Sequence, residues 1–325
     1  MKKVLFATTA LVLTAGMAMA EVKLSGSGRA GLAYAEDDDS STRDTQVSYR
    51  LRFNIDASKE LDSGVTLGGR IRLQYDAGDI NTSGAFIDLN GEGGAELSAA
   101  YIYAETGGFR VEVGNANGAL DSMATLYNSE LGFIGTTQGS YNLLSYASFS
   151  SGPYRGDQAN TIGIFASYEV GGLVARFSYH TPDQTVEDLP DGLSEEYSVS
   201  VDYTSGAFSV GAGYVFNGGY SDGDDGWVVT GEYALNDTTK VGLQVLGTNP
   251  DAGDDNTGVT LYGTTEVSGI GLGAFISSTD DDSSDNDVAY GIGASYDLGG
   301  ATLAGTIQQD FDENVYADVG VSFSF

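Results

Sequence analysis

The sequence predicts an all-β fold: a transmembrane, antiparallel, up-and-down β-barrel of 16 strands. Three observations predict it. Segments of about ten residues alternate apolar and polar side chains down the whole chain, the period of a strand with two unlike faces. The connections between them alternate short and long, as in barrels with tight turns at one rim and loops at the other. Beyond the first 20 residues no run of 18 apolar residues exists, so no helix can span a bilayer, which leaves a soluble all-β protein or a barrel that crosses with strands.

The elements follow in chain order. MKKVLFATTALVLTAGMAMA (1–20) has two lysines, an apolar run and a small-residue Ala-Met-Ala end. It reads as a signal peptide cut after Ala20, leaving 21–325 as the barrel. Alternating segments then fall at 22–35, 45–58, 65–76, 97–106, 109–114, 160–170, 173–181, 195–204, 207–216, 227–234, 239–247, 258–267, 270–278, 288–297, 301–310 and 315–325. AFIDL (85–89) is a further short candidate. The short connections include Gly107-Gly108, Gly171-Gly172, Ser205-Gly206 and Ser268-Gly269. The long ones are acidic, for example NGGYSDGDDG (217–226) and TNPDAGDDNT (248–257). Both termini fall on the short-turn, periplasmic side.

Composition narrows the function. Formal charge is −32, and −34 once Lys2 and Lys3 leave with the signal peptide, which speaks against a nucleic-acid partner. There is no cysteine, hence no disulfide framework and no thiolate chemistry. A single histidine, His180, sits at the outer end of a strand. It reads as a surface residue, and no catalytic residues are assigned. The Asp clusters at 37–39, 222–225, 251–255 and 280–287 lack EF-hand spacing. They read as solvated loop charge and no metal site is assigned. Weak calcium bridging to lipopolysaccharide is the alternative, with Asp222, Asp224 and Asp225 as its candidates. No other cofactor is expected.

Strand phase places the arginines. QVSYRLRFNIDAS (46–58) puts Tyr49, Leu51 and Phe53 on one face and Arg50 and Arg52 on the other. The same phasing sets Arg29 opposite Leu32 and Tyr34, and Arg70 and Arg72 opposite Ile71, Leu73 and Tyr75. On a lipid face each arginine would cost ~2–4 kcal/mol near the midplane. All five therefore face the lumen, with Arg110 and Arg176 added from later strands. Tyrosines on apolar faces, including Tyr101, suit interfacial girdles. Leu246 and Phe275 fall on the polar phase and are expected to pack against an inward loop. Small lumen residues (Ser198, Ser200, Gly211, Gly213, Gly291, Gly293) read as open space.

EVKLSGSGRAGLAY (21–34), SYDLGGATLAGTI (295–307) and the terminal DVGVSFSF (318–325) resemble the general diffusion porins of Gram-negative bacteria, of the alpha-proteobacterial type. The resemblance implies a homotrimeric outer-membrane channel, surrounded by lipid and lipopolysaccharide, that passes small hydrophilic solutes and ions. It also implies a third long loop folded into the pore. Segment 115–159 is that loop, with a short helix expected in 115–133. The arginines then form one wall of the constriction. Asp121, Glu130 and Asp157 are the loop's carboxylates facing it, and the sequence does not choose among them. A solute-specific porin and a plugged surface barrel are the alternatives.

Overall fold

The computed structural model describes residues 20–36, 43–77, 95–139, 144–154, 158–251, 253–280 and 288–325. Apart from Ala20, the signal peptide lies outside them, as do AFIDL and Asp157. The strands are β1 (Glu21–Ala35), β2 (Thr45–Glu60), β3 (Thr66–Ala77), β4 (Glu96–Leu97), β5 (Tyr101–Thr106) and β6 (Phe109–Gly114). Then come β7 (Ile162–Val170), β8 (Leu173–Thr181), β9 (Glu196–Ser205), β10 (Phe208–Phe216), β11 (Asp225–Ala234) and β12 (Thr239–Asn249). The last are β13 (Asn256–Val267), β14 (Ile270–Thr279), β15 (Val288–Asp297), β16 (Ala301–Gln309) and β17 (Val315–Ser324).

Apart from β4 and β5, each strand pairs antiparallel with its neighbours in sequence, and β1 closes the sheet on β17, with Leu32 opposite Val319. β4 and β5 both pair with β3, through Leu97 on Leu73 and Tyr101 on Arg70. They are two pieces of one barrel position, so the barrel has the 16 positions expected. The break between them has a local cause. The Asn115 backbone N–H donates to Ala100 O (2.9 Å) and its side-chain amide to Ala99 O (2.9 Å). The root of the next long loop thus takes carbonyls that a continuous strand would present to the ladder.

Alternation sorts the faces as the barrel requires. Leu51, Leu243 and Ile292 are 43%, 46% and 61% exposed on the outer surface of the isolated chain, where lipid covers them. Aromatic side chains cluster near both rims. Phe208–Tyr233 (4.5 Å between ring centres) lies beside short turns, and Tyr179–Tyr197 (5.1 Å) and Tyr49–Tyr75 (5.5 Å) lie near the long-loop ends.

The buried apolar core is inside the barrel and belongs to the segment between β6 and β7. Leu120, Met123, Leu126 and Leu144 pack with Val215, Val228 and Leu246 of the wall. Phe133 and Ile134 join Ala33, Ala35, Ala304 and Tyr316, and Leu131 joins Tyr262, Phe275 and Ala289. Leu246 and Phe275 thus pack against the loop, as their phase predicts. Each fully buried leucine contributes about 1.5–3 kcal/mol, so the loop is held in the lumen by its own apolar contacts.

Residues 115–133 form successive turns and contain no helix, contrary to expectation. The backbone groups a helix would pair internally are taken by the wall. Ala119 N–H donates to Ser178 Oγ (3.0 Å) and Ser198 Oγ (3.2 Å), and Ser200 Oγ donates to Ala119 O (2.6 Å). Gly132, at φ +79°, adds a left-handed turn that glycine adopts without strain.

Candidate channel constriction

β1, β2 and β3 are adjacent antiparallel strands, so residues of one phase form rows across them. Arg29 stands opposite Arg50, Arg50 opposite Asp76, Arg52 opposite Gln74, and Arg70 opposite Asp56. Cross-strand partners fasten the guanidinium groups. Arg50 pairs with Asp76, Arg52 donates to Gln74 Oε1, and Arg70 bridges Asp56 at 2.7 Å. Arg72 donates to Asn54 Oδ1 (2.9 Å) and to Ser151 Oγ (2.9 Å), and its guanidinium lies 4.5 Å from the ring centre of Phe149. Arg52 lies within electrostatic reach of Arg72, Arg50 and Arg29.

Not all seven predicted arginines come together. Arg29, Arg50 and Arg52 line one cavity of about 550 Å³ with Phe133 of the loop. Arg110 bridges Glu105 (2.6 Å) and Glu112 (2.7 Å) and stacks 3.6 Å from the ring centre of Tyr103, close to the short turn at 107–108. Arg176 is on β8, away from this cavity. It pairs with Asp202, whose Oδ2 also accepts Ala124 N–H (3.2 Å) from the loop. Its role in the geometry is to hold that carboxylate under the loop.

Of the loop's three carboxylates, Asp121 and Glu130 lie among the described residues. The Tyr127 hydroxyl donates to Asp121 Oδ1 (2.6 Å), and Tyr127 and Tyr146 share a hydroxyl contact of 2.8 Å. Burial holds both phenols above the ordinary tyrosine range, so they remain neutral. Glu130 lines a second cavity of about 310 Å³ with Thr264, Thr265, Glu266 and Ser295, over β13–β15. Neither Asp121 nor Glu130 lines the arginine cavity. Asp56 and Asp76, in the same sheet, supply close counter-charge to Arg70 and Arg50. Opposite charges reach each other directly across neighbouring strands, so a loop carboxylate is not required for that pairing.

The small residues of the opposite wall are seats for the loop, and not the open space expected. A side chain at Gly213 would meet Met123 and Leu120, and one at Gly211 would meet Asp202, Thr230 and Met123. Gly293 lies against Leu131 of the loop, whereas Gly291 lies against Phe275 and Gln308 of the wall and is not such a seat. Further polar wall residues reach the loop. Gln244 Nε2 donates to Leu126 O (3.1 Å), and Asn128 Nδ2 to Glu232 Oε2 (2.9 Å). Phe133 N–H donates to Asp318 Oδ1 (3.0 Å), and Gln138 N–H to Gln308 Oε1 (2.9 Å). Arg29 donates to Ile134 O, and the buried Glu196 accepts Ala147 N–H through both oxygens. Sequence reasoning missed this set. Its signal is the alternation of Ser198, Ser200 and Asp202 with outward Val199, Val201 and Tyr203.

Two further expectations change. His180 is 3% exposed and no surface residue, because the loop covers it and its Nε2 lies 3.3 Å from Ala116 O. Tyr101 is 7% exposed and faces inward, edge-on to Phe149 at 5.9 Å between ring centres, while Ile102 takes the outer face. In the acidic turn, Asp225 accepts the Tyr214 hydroxyl (2.9 Å) and Asp224 accepts Asp251 N–H (3.0 Å). Among the described residues no group of three or more His, Cys, Asp or Glu side chains is arranged to hold a metal ion.

Comparison with known proteins agrees with this architecture. The family model for Gram-negative porins matches residues 7–314. A porin from Fuscovulum blasticum is 35% identical over 306 residues, covering 94% of this chain and 100% of the relative. A porin from Rhodobacter capsulatus is 25% identical over 339 residues, with 94% and 100% coverage. Among solved structures, mutants of Rh. blastica porin match with a TM-score of 0.83 and 34% identity, over 94% of this chain and 100% of theirs. A closed 16-position antiparallel barrel with an apolar outer surface and a loop lining its lumen accords with these matches, and the chain belongs to the Gram-negative porin family.

Proposed function

We propose that solutes pass this outer-membrane porin between the arginine row of β1–β3 and the inward loop, which Arg29 and Arg72 also help to anchor. The chain is a general diffusion porin, a water-filled channel for small hydrophilic solutes. One observation carries the finer reading. Arg29, Arg50 and Arg52 border a cavity together with Phe133 of the loop, whose ring lies against Gly31 and Gly320, so fixed cationic charge and a positioned apolar edge line the same space. Passage needs no chemistry, and the barrel works as a channel rather than an enzyme. Size is set by the loop and charge preference by fixed charge along the path. The acidic outer loops enrich cations at the mouth, which favours weak cation selectivity overall.

We further propose a homotrimer in a lipopolysaccharide-bearing membrane, delivered by cleavage of residues 1–20. The outer face of β2, β3 and β5 supports the assembly. Ile55, Ala57, Leu67, Ile71 and Ile102 border an apolar hollow of about 640 Å³, a shape that a second copy can fill. Planar-bilayer recording of the purified protein tests both readings. Steps arriving in groups of three with weak cation preference are expected. A folded barrel without conductance would contradict the channel reading, and steps arriving singly would contradict the trimer.

A further inference from the structure

We infer that the cavity bordered by Arg29, Arg50 and Arg52 is a saturable site for compact multivalent oxyanions of the phosphate type. The inference rests on the channel reading above and names a ligand class for part of its path. The cavity has about 550 Å³, room for an oxyanion with some of its water. It reaches from the arginines toward the short-turn rim, where Asp297, Gly300 and Ala301 border it. Ser27, Thr302, Ser322 and Ser324 belong to the same lining.

The charge is arranged for binding rather than for passage alone. Asp76 pairs with Arg50 and also lies within electrostatic reach of Arg52, whose one described side-chain hydrogen bond runs through Nε to a neutral amide, Gln74 Oε1. Arg52 borders a cavity that also has Arg29 and Arg50 in its lining. A planar guanidinium fork matches two oxygens of one anion and carries its charge at any working pH. Hydroxyl donors beside it complete the shell of a tetrahedral oxyanion. Chloride, with one charge and no paired oxygens, gains only the Coulomb part of this arrangement. Phe133 closes the outer side, its ring against the backbones of Gly31 and Gly320. An anion arriving from the short-turn rim therefore meets the arginines before it meets the loop.

The test is potassium chloride conductance of the full-length native protein in planar bilayers, with inorganic phosphate added to one chamber at constant chloride activity. The expected result is a saturating fall in current, deeper from one side of the membrane than from the other. Arg52→Gln should weaken half-saturation about tenfold, and Arg52→Lys by less. Heat-modifiable electrophoretic mobility checks that each variant is a folded barrel. A current that scales with ionic strength alone, or a block unchanged in Arg52→Gln, would overturn the site and leave the channel reading intact. Absence of conductance in the native protein would overturn the channel reading and the site together.

Discussion

The two walls of the lumen solve opposite problems with opposite side chains. On β1–β3 the inward positions are long and charged, and they satisfy one another across strands, as in Arg50 with Asp76 and Arg70 with Asp56. On β8–β17 many are small or short and polar, and they satisfy the backbone of a loop, as in Ser178 and Ser198 with Ala119. The first wall keeps its charge toward the channel. The second surrenders its space to Leu120, Met123 and Leu131. Glycine and serine on an inner barrel face therefore do not by themselves signal a wide pore. Here they admit a second layer, and the free path narrows toward the charged side.

The contrast can be broken most sharply from the loop. Leu120→Asp places a charge in a fully buried apolar cluster, where an unpaired ion cannot be accommodated. The loop limb should lift into the lumen or out of it. Single-channel recordings should then show a large change in conductance with strong open-channel noise, while the barrel keeps its heat-modifiable mobility. If conductance stayed at the native value, the loop would not shape the path.

A second change separates the arginines of the two walls. Arg176→Ala leaves Asp202 without its cation under the loop, and breaking a buried pair of this kind costs about 3–5 kcal/mol. Its expected signature is lower thermal resistance and a noisier channel, with ion preference little altered. A shift in reversal potential as large as one produced at Arg52 would place Arg176 on the path and erase the distinction between walls.

Smaller effects sharpen the account. Ser198→Ala removes one of two hydroxyls that accept from Ala119 N–H, worth about 1 kcal/mol. Occasional flicker without a change in mean conductance is the expected result. Alkaline pH gives the smallest effect under ordinary conditions. Tyr127 and Tyr146 titrate above the usual phenol range because burial disfavours their anions. Their contribution to loop packing is therefore complete below pH ~10 and declines above it. Conductance should stay level from neutral pH to pH ~9, then become noisy at higher pH. A transition near neutrality would assign the loop's stability to other groups.

Much of this was legible in the sequence, for a physical reason. A period of 2 together with the cost of arginine in lipid determines the faces of Arg29, Arg50, Arg52, Arg70 and Arg72 without tertiary knowledge. Leu246 and Phe275 betrayed the inward loop by breaking that phase. What was not legible depended on contacts far apart in the chain. His180 looked exposed because nothing near it in sequence covers it; Ala116, 64 residues away, does. The helix expected in 115–133 fails because wall hydroxyls at 178 and 198 take its backbone groups. Tyr101 follows the broken strand β4–β5, and that break is set by Asn115. For Asp121 and Glu130, loop membership determines neighbourhood but not orientation.

The central claim is that β1–β3 supply the fixed charge sensed by permeating ions. Reversal potential under a salt gradient, native protein against the Arg50→Ala/Arg52→Ala double variant, tests it most directly. A unit charge at about 8 Å in water acts with about 0.5 kcal/mol, roughly a twofold factor in local ion concentration per charge. The account predicts a preserved channel whose cation preference rises several-fold in the variant. An unchanged reversal potential in a conducting, folded variant would contradict it.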